Sequence, residues 1–255
     1  MNESNIKKIA VLSDIHGNIP ALEAVVNDIK QRRVDQVINL GDHISGPLWP
    51  KETIEFLMNQ NWMHISGNHD KNLLINIPGK LGPSDSYASQ FLNKIEIKWL
   101  ESLPESFETY GMFLFHGTPA NNNMYLLETV ENDKAGLSTQ KEIMKRLGEV
   151  KSKEILCGHS HIPRVVEILG SIIINPGSVG LQAYHDAKPE HHIMETGSPH
   201  ARYAIIEYKK KIQNVQMISV LYDYNIASRQ ALNNNRPDWA EALDSGFLTN
   251  SRLIF

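Results

Sequence analysis

Apolar runs and amphipathic stretches alternate along the first third of the chain. Apolar residues dominate positions 9–12, 36–40 and 62–65, and each run predicts a short buried strand. Between these runs, positions 21–30 and 51–59 carry apolar residues at helical spacing. The strand–helix–strand order predicts a sheet with right-handed crossovers, in which ligands bind beyond the carboxyl ends of the strands.

The middle of the chain predicts one helix over 84–103. Large apolar residues recur along one face of this helix, namely Tyr87, Phe91, Ile95, Trp99 and Leu103. We interpret this stripe as core packing, because a helix buries its apolar face. Farther along, positions 138–147 predict another helix, and the apolar runs at 113–115 and 155–157 predict two more strands.

The second half of the chain changes character. Strand-like segments follow one another without intervening helices, at 164–169, 171–174, 204–207 and 212–221. This half is therefore predicted to be antiparallel. Positions 224–233 and 237–243 predict a C-terminal helical pair. We find no linker, so we expect a single α/β domain over 1–255, with 201–255 included, in which two sheets pack with helices outside.

Composition sets limits on the function. The 255 residues carry a formal net charge of −4, which gives no electrostatic footprint for nucleic acid. A single cysteine, Cys157, excludes an internal disulfide. Residues 1–8 lack the apolar segment of a signal peptide, and no run approaches the ~18 apolar residues of a membrane span. We therefore expect a cytoplasmic protein without a membrane or nucleic-acid partner.

Five short polar motifs supply the candidate chemistry, and each follows a predicted strand. They are Asp14-Ile15-His16, Gly41-Asp42, Gly67-Asn68-His69-Asp70, His116-Gly117 and Gly158-His159-Ser160-His161. Two metals about 3.5–4 Å apart can activate water and bind a phosphoryl group, and these side-chain types bind divalent metals. Residues two apart in an extended segment project to the same side, so Asp14 and His16 can share one metal. The motifs therefore predict a metal-dependent hydrolase.

In this order, the five motifs resemble the signature of the calcineurin-like metallophosphoesterase superfamily, and more closely its small bacterial and archaeal phosphodiesterase-like branch. The resemblance extends to Gly117-Thr118-Pro119 and to the Asn-Pro-Gly-Ser-Val-Gly sequence at 175–180, and it covers about residues 9–180. It implies a four-layer α/β/β/α sandwich, with two packed mixed sheets flanked by helices.

The resemblance also implies two divalent metal ions as cofactors. Asp14, His16, Asp42 and His161 would hold the first ion, and Asp42, Asn68, His116 and His159 would hold the second. Asp42 would thus serve both ions. These donors suit Mn, Fe, Zn or Ni and leave the choice open.

Two neighbours of Asn68 are the catalytic candidates. His69 is expected to neutralise the phosphoryl group or to protonate the leaving oxygen, and Asp70 is expected to fix its tautomer. Two other histidines, His43 and His64, are expected to pack in the interior.

Substrate-binding candidates are Asn18, Tyr184, His185 and Arg202. Asn18 has an equally good role as the N-cap of the helix that follows. Tyr184 and His185 lie in the segment 182–199, which contains two prolines and a glycine and is predicted to be a long irregular loop. This segment either folds over the metal site, where it would shape substrate choice, or lies at the surface as a dimer contact.

The leading function is therefore a phosphodiesterase or phosphomonoesterase that acts on a small phosphorylated substrate. A dinucleoside polyphosphate or another nucleotide is an alternative substrate. A catalytically weak scaffold that binds other proteins is the alternative from another class. The metal, the substrate and the oligomeric state stay open, with a homodimer weakly expected.

Overall fold

Three mixed β-sheets form the framework of the chain, in a computed structural model that describes residues 6–75 and 79–249. Residues 1–5 of the polar N-terminal segment lie outside the described residues. In chain order, the strands are β1 (Lys7–Leu12), β2 (Gln36–Asn39), β3 (Met63–His64), β4 (Ser106–Thr109), β5 (Met112–Phe115), β6 (Glu128–Glu131), β7 (Lys134–Leu137), β8 (Glu154–Leu156), β9 (Arg164–Ile168), β10 (Ser171–Asn175), β11 (Ala183–Asp186), β12 (His192–Glu195), β13 (Ala201–Lys209) and β14 (Lys211–Val220).

The helices lie between these strands and at the C-terminal end. They are α1 (Ile19–Gln31), α2 (Pro50–Met58), α3 (Asn68–Leu73), α4 (Pro83–Ser89), α5 (Lys94–Glu101), α6 (Gln140–Leu147), α7 (Tyr224–Asn233) and α8 (Pro237–Ser245). The predicted α/β class is confirmed, and the third sheet is an addition to the two that were expected. Within the described ranges, no helix has an apolar stretch long enough to cross a bilayer.

Each of the two large sheets contains three adjacent parallel strands. The first sheet has the order β14–β13–β1–β2–β3, and the second has the order β4–β5–β8–β10–β9. The pairs β1–β2, β2–β3, β5–β8 and β8–β10 are parallel. The pairs β9–β10 and β13–β14 are antiparallel, as expected for the second half of the chain. Because β13 also pairs with β1, the C-terminal strands extend the first sheet.

Alternating side chains of the strands build the layers. In β1, Ile9 and Val11 lie in the core between the two sheets, whereas Ala10 and Leu12 pack beneath α1. This alternation follows from the two-residue period of a strand. On the outer face of the second sheet, Ile143 of α6 packs against the strands. The resulting order is helix, sheet, sheet, helix.

The prediction of one helix over 84–103 is wrong, because the chain turns between α4 and α5. Asn93 caps α5, and the Glu96 carboxylate accepts a hydrogen bond from the Asn93 backbone N–H. Such a capping box starts a new helix. The apolar stripe is therefore split, and Phe91 and Ile95 are 40% and 68% exposed instead of packed in the core.

The prediction of an irregular loop over 182–199 is also wrong. Strands β11 and β12 pair antiparallel within it, and β12 joins the β6–β7 hairpin to give a sheet of order β11–β12–β7–β6. The pairing satisfies backbone groups that a long loop would leave unpaired. The inward positions of β12 include His192 as well as Met194, so a histidine stands where a strand pattern calls for an apolar residue.

Candidate metal centre

The five polar motifs meet where the two large sheets face each other. The first three motifs follow the adjacent strands β1, β2 and β3, and the last two follow the adjacent strands β5 and β8. All five lie at carboxyl ends of parallel strands, where the crevice of such sheets is found. Backbone hydrogen bonds join the motifs, for example from the Asp14 N–H to the Gly41 carbonyl and from the Gly158 N–H to the His116 carbonyl.

Two groups of side chains within the described residues could each hold a metal ion. One consists of Asp14, His16 and His161, and the other of Asp42, His116 and His159, with the ligand atoms of each group within 4.8 Å of one another. Asn68 joins the second group, since its Oδ1 lies 3.0 Å from Nε2 of His116. The structure thus brings together all seven residues that were expected to bind metal.

Ring orientations of the histidines fit metal ligation. His16, His116 and His161 each donate a hydrogen bond from Nδ1 to a backbone carbonyl, at 2.7, 2.8 and 2.7 Å respectively. When a ring held in this way is neutral, its Nε2 carries the lone pair and faces the other candidate ligands, as in metal-ligating histidines whose Nδ1–H is bound by a carbonyl. The Nε2 atoms of His16 and His161 lie only 3.1 Å apart. Two facing lone pairs at this distance repel each other unless a cation lies beside them.

The distances between the candidate ligand atoms and one unpaired carboxylate oxygen also fit bound metal ions. Nε2 of His161 lies 3.3 Å from Oδ1 of Asp14, and Nε2 of His116 lies 3.2 Å from Oδ2 of Asp42. Ligands about 2.0–2.2 Å from one ion stand about 3–3.5 Å apart. Oδ1 of Asp14 is buried and has no hydrogen-bond partner among the described residues. A buried carboxylate oxygen without a hydrogen-bond partner needs a nearby positive charge to offset its lost hydration. The set of side chains therefore fits a pair of divalent ions.

The protonation states of two carboxyls and two imidazoles suit metal binding, whereas His116 must give up a proton. Burial lowers the pKa of His116, but the carboxylates of Asp42 and Asp14 outweigh burial and raise it to about 9. Burial raises the pKa of the Asp14 and Asp42 carboxyls, but nearby imidazoles outweigh burial and hold both pKa values below their usual range. Burial, together with a neighbouring imidazole, lowers the pKa of His16 to about 4 and that of His159 to about 3. The two carboxylates are therefore ionised and these two rings are neutral at pH 7, as metal ligands must be.

Five of the candidate ligands have a left-handed backbone. They are Asp14, His16, Asp42, His159 and His161, with φ values between +52° and +68°. A non-glycine residue in this region costs of order 1 kcal/mol or more and persists only where the surrounding structure imposes it. The strand ends therefore hold these ligands in a fixed arrangement.

Two glycines and one turn complete this frame. A Cβ on Gly67 would lie 2.1 Å from Oδ1 of Asp42, and a Cβ on Gly158 would lie 2.0 Å from Oγ of Ser13. The turn at 175–180 is part of the sequence that resembles the superfamily. It holds Asp14 in place, because the Asp14 carbonyl accepts hydrogen bonds from the Ser178 hydroxyl and from the backbone N–H at position 180. At Gly67 and Gly158, only a residue without a Cβ permits these close approaches.

His69 lies beside the ligands and contacts a carboxylate that the sequence does not predict. Nδ1 of His69 lies 2.7 Å from Oδ1 of Asp85, in α4, and the Ser45 hydroxyl donates to the same oxygen at 2.6 Å. Asp85 is buried, and its other oxygen accepts from Nδ2 of Asn72 at 3.0 Å. The backbone N–H of His69 donates to Oδ1 of Asp42. The imidazole is about a third exposed, at 33%.

The expected contact between Asp70 and His69 is therefore wrong. Asp70 is fully buried and accepts hydrogen bonds from the backbone N–H groups of Asp42, His43 and Gly67. It also contacts Nδ1 of His43 at 2.8 Å. Asp70 thus joins two motif loops to each other instead of orienting the neighbouring ring.

The geometry agrees with a known family. The calcineurin-like phosphoesterase superfamily domain matches residues 8–199. The chain belongs to this superfamily. The uncharacterized protein MJ0912 of Methanocaldococcus jannaschii is 28% identical over an alignment of 247 residues that covers 91% of this chain and 94% of that protein.

Two solved structures share the fold of this calcineurin-like phosphoesterase. A metallophosphoesterase from Sphaerobacter thermophilus has 24% identity and a TM-score of 0.75, with 95% of this chain and 100% of that chain covered. The hypothetical protein PH1004 from Pyrococcus horikoshii has 20% identity and a TM-score of 0.72, with 95% and 99% covered. Membership in the superfamily supports a phosphoesterase-type hydrolase and implies divalent metal ions.

Five of the seven candidate metal ligands line a cavity of about 500 Å³ and form what we call its floor. Its walls come from the start of α4, from β11 and the turn after it, and from α8. Tyr184 and His185, two of the expected substrate residues, line it. Trp239, which the sequence analysis did not select, lines it as well, and no local motif could have marked it.

The other two substrate candidates lie away from the lining of this cavity. Asn18 is fully buried, accepts a hydrogen bond from the Ala21 N–H, and donates to the Gly180 carbonyl and the Tyr222 hydroxyl. Its role is that of the N-cap. Arg202 donates to the Ser198 hydroxyl at 2.8 Å and ties down the start of β13.

Proposed function

We propose that the protein hydrolyses a small phosphodiester or phosphomonoester with the help of two divalent metal ions. One observation carries this proposal: two groups of metal-binding side chains converge at the floor of a cavity, next to a histidine that is held by a buried carboxylate. Such a site provides both charge and a proton donor for phosphate chemistry.

Each group of ligands would hold one ion. Asp14, His16, His161 and Asp42 would hold the first, and Asp42, Asn68, His116 and His159 would hold the second. When bound, the ions supply a water-derived nucleophile at neutral pH and positive charge opposite the phosphoryl oxygens. Mixed oxygen and nitrogen donors suit Mn, Fe, Zn or Ni, and we expect metal supply to decide among them.

His69 would serve the leaving group. Its Nδ1 is occupied by Asp85, so its Nε2 is the atom available to the cavity. The Asp85 carboxylate favours the protonated ring, which can donate a proton from Nε2 to the leaving oxygen or hydrogen-bond to the phosphoryl group. Asp42 restrains the same residue through its backbone N–H.

The walls of the cavity favour a small substrate over a polymer. Residues of α4, β11 and α8 line the cavity together with the candidate ligands and limit it to about 500 Å³. A dinucleoside polyphosphate, of which one nucleotide would occupy the cavity, is the alternative substrate. A scaffold without catalysis is less well supported, because such a protein has no need to keep all seven ligands and His69.

A metal-loaded hydrolysis assay tests the proposal. We expect turnover of bis-p-nitrophenyl phosphate or p-nitrophenyl phosphate with at least one of Mn²⁺, Fe²⁺, Zn²⁺, Co²⁺ and Ni²⁺. His69→Gln should lower kcat by about 10²–10⁴-fold while the bound metal, measured by elemental analysis, stays at the wild-type level. Absence of turnover with all five ions would favour the scaffold, and full activity of His69→Gln would remove the role of His69.

The expected cytoplasmic location and homodimer stay predictions. Cell fractionation and light scattering, respectively, would test them.

A further inference from the structure

The cavity has room for more than a phosphoryl group. It measures about 500 Å³, and five of the seven candidate ligands lie on its floor. Pockets of about 300–1,000 Å³ typically enclose most of a small organic ligand. An ester bound at these ligands would therefore have space for its organic group, in a cavity that residues of α4, β11 and α8 also line.

Two aromatic rings of the cavity lining, from the half-buried Tyr184 and the 7% exposed Trp239, stand beside the candidate ligands. The ring of Tyr184 lies 4.6 Å from that of His161, and the ring of Trp239 lies 6.0 Å from that of His16. His16 and His161 are themselves 4.9 Å apart. The apolar surface thus begins within one ring's distance of the candidate metal centre.

The ring of His16 also lies beside His69, the candidate proton donor. The ring of His69 lies 5.5 Å from that of His16, and Trp239 adjoins the same His16 ring. His69 and Trp239 also line the same cavity, so the organic group of an ester whose leaving oxygen lies near His69 can reach Trp239.

Trp239 is held from several directions. A Cβ on Gly46 would lie 2.6 Å from a carbon of the indole, so the ring rests on the backbone there. The guanidinium of Arg236 lies over the indole at 5.5 Å from its centre. Arg236 is in turn fixed by Asp238 at 2.7 Å and by the Ser84 hydroxyl at 2.9 Å. A wall that is ordered in advance costs little entropy on binding.

The two walls also share one buried cluster. Trp239 packs with Leu181, Ala183, Leu243 and Leu248, and Tyr184 packs against the edge of this cluster. Residues from β11 and α8 therefore keep a fixed separation. The superfamily match ends at residue 199, so the α8 wall lies outside the matched domain.

We propose that Trp239 and Tyr184 form a subsite for a planar, largely apolar organic group, so that the substrate is a phosphate ester of an aryl or nucleoside-like alcohol. This inference rests on the proposed function, because the subsite is placed relative to a phosphoryl group at the metal centre. Aromatic rings favour planar partners through stacked and edge contacts as well as through buried area.

Binding of two phosphonates tests the subsite without requiring turnover. Phenylphosphonate and methylphosphonate share the phosphoryl-like dianion and differ only in the organic group. Calorimetric titration into the full-length protein loaded with Mn²⁺ should show phenylphosphonate binding roughly tenfold to a hundredfold more tightly. Trp239→Ala should reduce this preference to about threefold or less.

Leu243→Ala is the matched control, because Leu243 lies in the same buried cluster but not in the cavity lining. It should keep the preference although it destabilises the same helix. Equal binding of the two phosphonates by the wild-type protein would overturn the subsite and leave the proposed function intact. Binding of neither would overturn the phosphoryl site and with it the proposed function. A preference that survives in Trp239→Ala would overturn the role of Trp239, and the wild-type comparison stands even if that variant fails to fold.

Discussion

The Asp85 carboxylate lies 2.7 Å from Nδ1 of His69, across a separation of 16 positions in the chain. It is the acceptor that sets which nitrogen of His69 faces the cavity. The same oxygen accepts the Ser45 hydroxyl, whose residue also offers its carbonyl to His16. One small hydrogen-bonded unit thus links the candidate proton donor to a candidate metal ligand.

Asp85→Asn should lower kcat by about 10–100-fold, as is usual for a residue that orients a functional group. Burial lowers the pKa of His69, but the carboxylates of Asp42 and Asp85 outweigh burial and raise it to about 9. Removal of the Asp85 charge should lower this pKa in part, so the alkaline fall of the kcat–pH profile should move to lower pH. KM and bound metal should stay close to wild type. Asn72→Ala is the control, because Asn72 contacts Asp85 but not His69, and it should cause a smaller loss. An unchanged pH profile in Asp85→Asn would contradict this role.

Asp70→Asn should act on stability and metal content instead. The Asp70 carboxylate accepts three backbone N–H groups and contacts His43, all in buried surroundings. Loss of a buried charged partner typically costs about 3–5 kcal/mol in the free energy of unfolding. Urea unfolding should show a cost of this order, and elemental analysis should show less bound metal, since Asp42 depends on the same loop. A fully stable, metal-replete variant would disprove this assignment.

Gly67→Ala should displace Asp42, because the new Cβ would lie 2.1 Å from its Oδ1. We expect the protein to lose most of its bound metal and activity. Gly136→Ala is the matched control, since no atom lies within 4 Å of the Cβ that it introduces. It should keep the wild-type metal stoichiometry. Normal metal content in Gly67→Ala would contradict this prediction, because the loop that contains Gly67 would then accommodate the new Cβ without displacing Asp42.

Because His64 is buried in its neutral form, the free energy of unfolding should fall in mild acid. Burial, together with the neighbouring His43, lowers the pKa of His64 to about 3, whereas the unfolded chain titrates near the ordinary value of 6.5. Below that value the unfolded state binds a proton that the folded state does not. This contribution to stability is therefore complete above pH 6.5 and is lost as pH falls toward 3, by up to about 1.4 kcal/mol per unit. Unfolding measured from pH 7 to pH 4.5 should be less steeply pH-dependent in His64→Gln, and equal slopes would contradict the prediction.

The convergence of the candidate metal ligands could be predicted because each belongs to a short motif next to its strand. Asp14, Asp42 and His116 follow apolar runs, and the parallel order of those strands brings their carboxyl ends together. Asp85 and Trp239 have no such local mark. They reach the site through the packing of α4 and α8, which depends on contacts between distant parts of the chain.

One failure of the fold prediction came from a local signal that was overlooked, and the other came from a contact between distant segments. The spacing of Asn93 and Glu96 is that of a capping box, and it outweighs the helical periodicity that runs through 84–103. In 182–199 the prolines and histidines obscure the sequence pattern of strands β11 and β12. This strand pair is stabilised by the pairing of β12 with β7. Pairing with a distant hairpin is not visible in a local pattern.

The left-handed backbones of the five ligands have a consequence for ion exchange. Because the strand ends impose these conformations, the metal-free protein should keep the ligands in place and need no refolding when an ion enters. Release and uptake would then depend on access to the cavity and on which ions are available. We therefore expect the bound metal to follow the supply of ions while the backbone of the site stays the same.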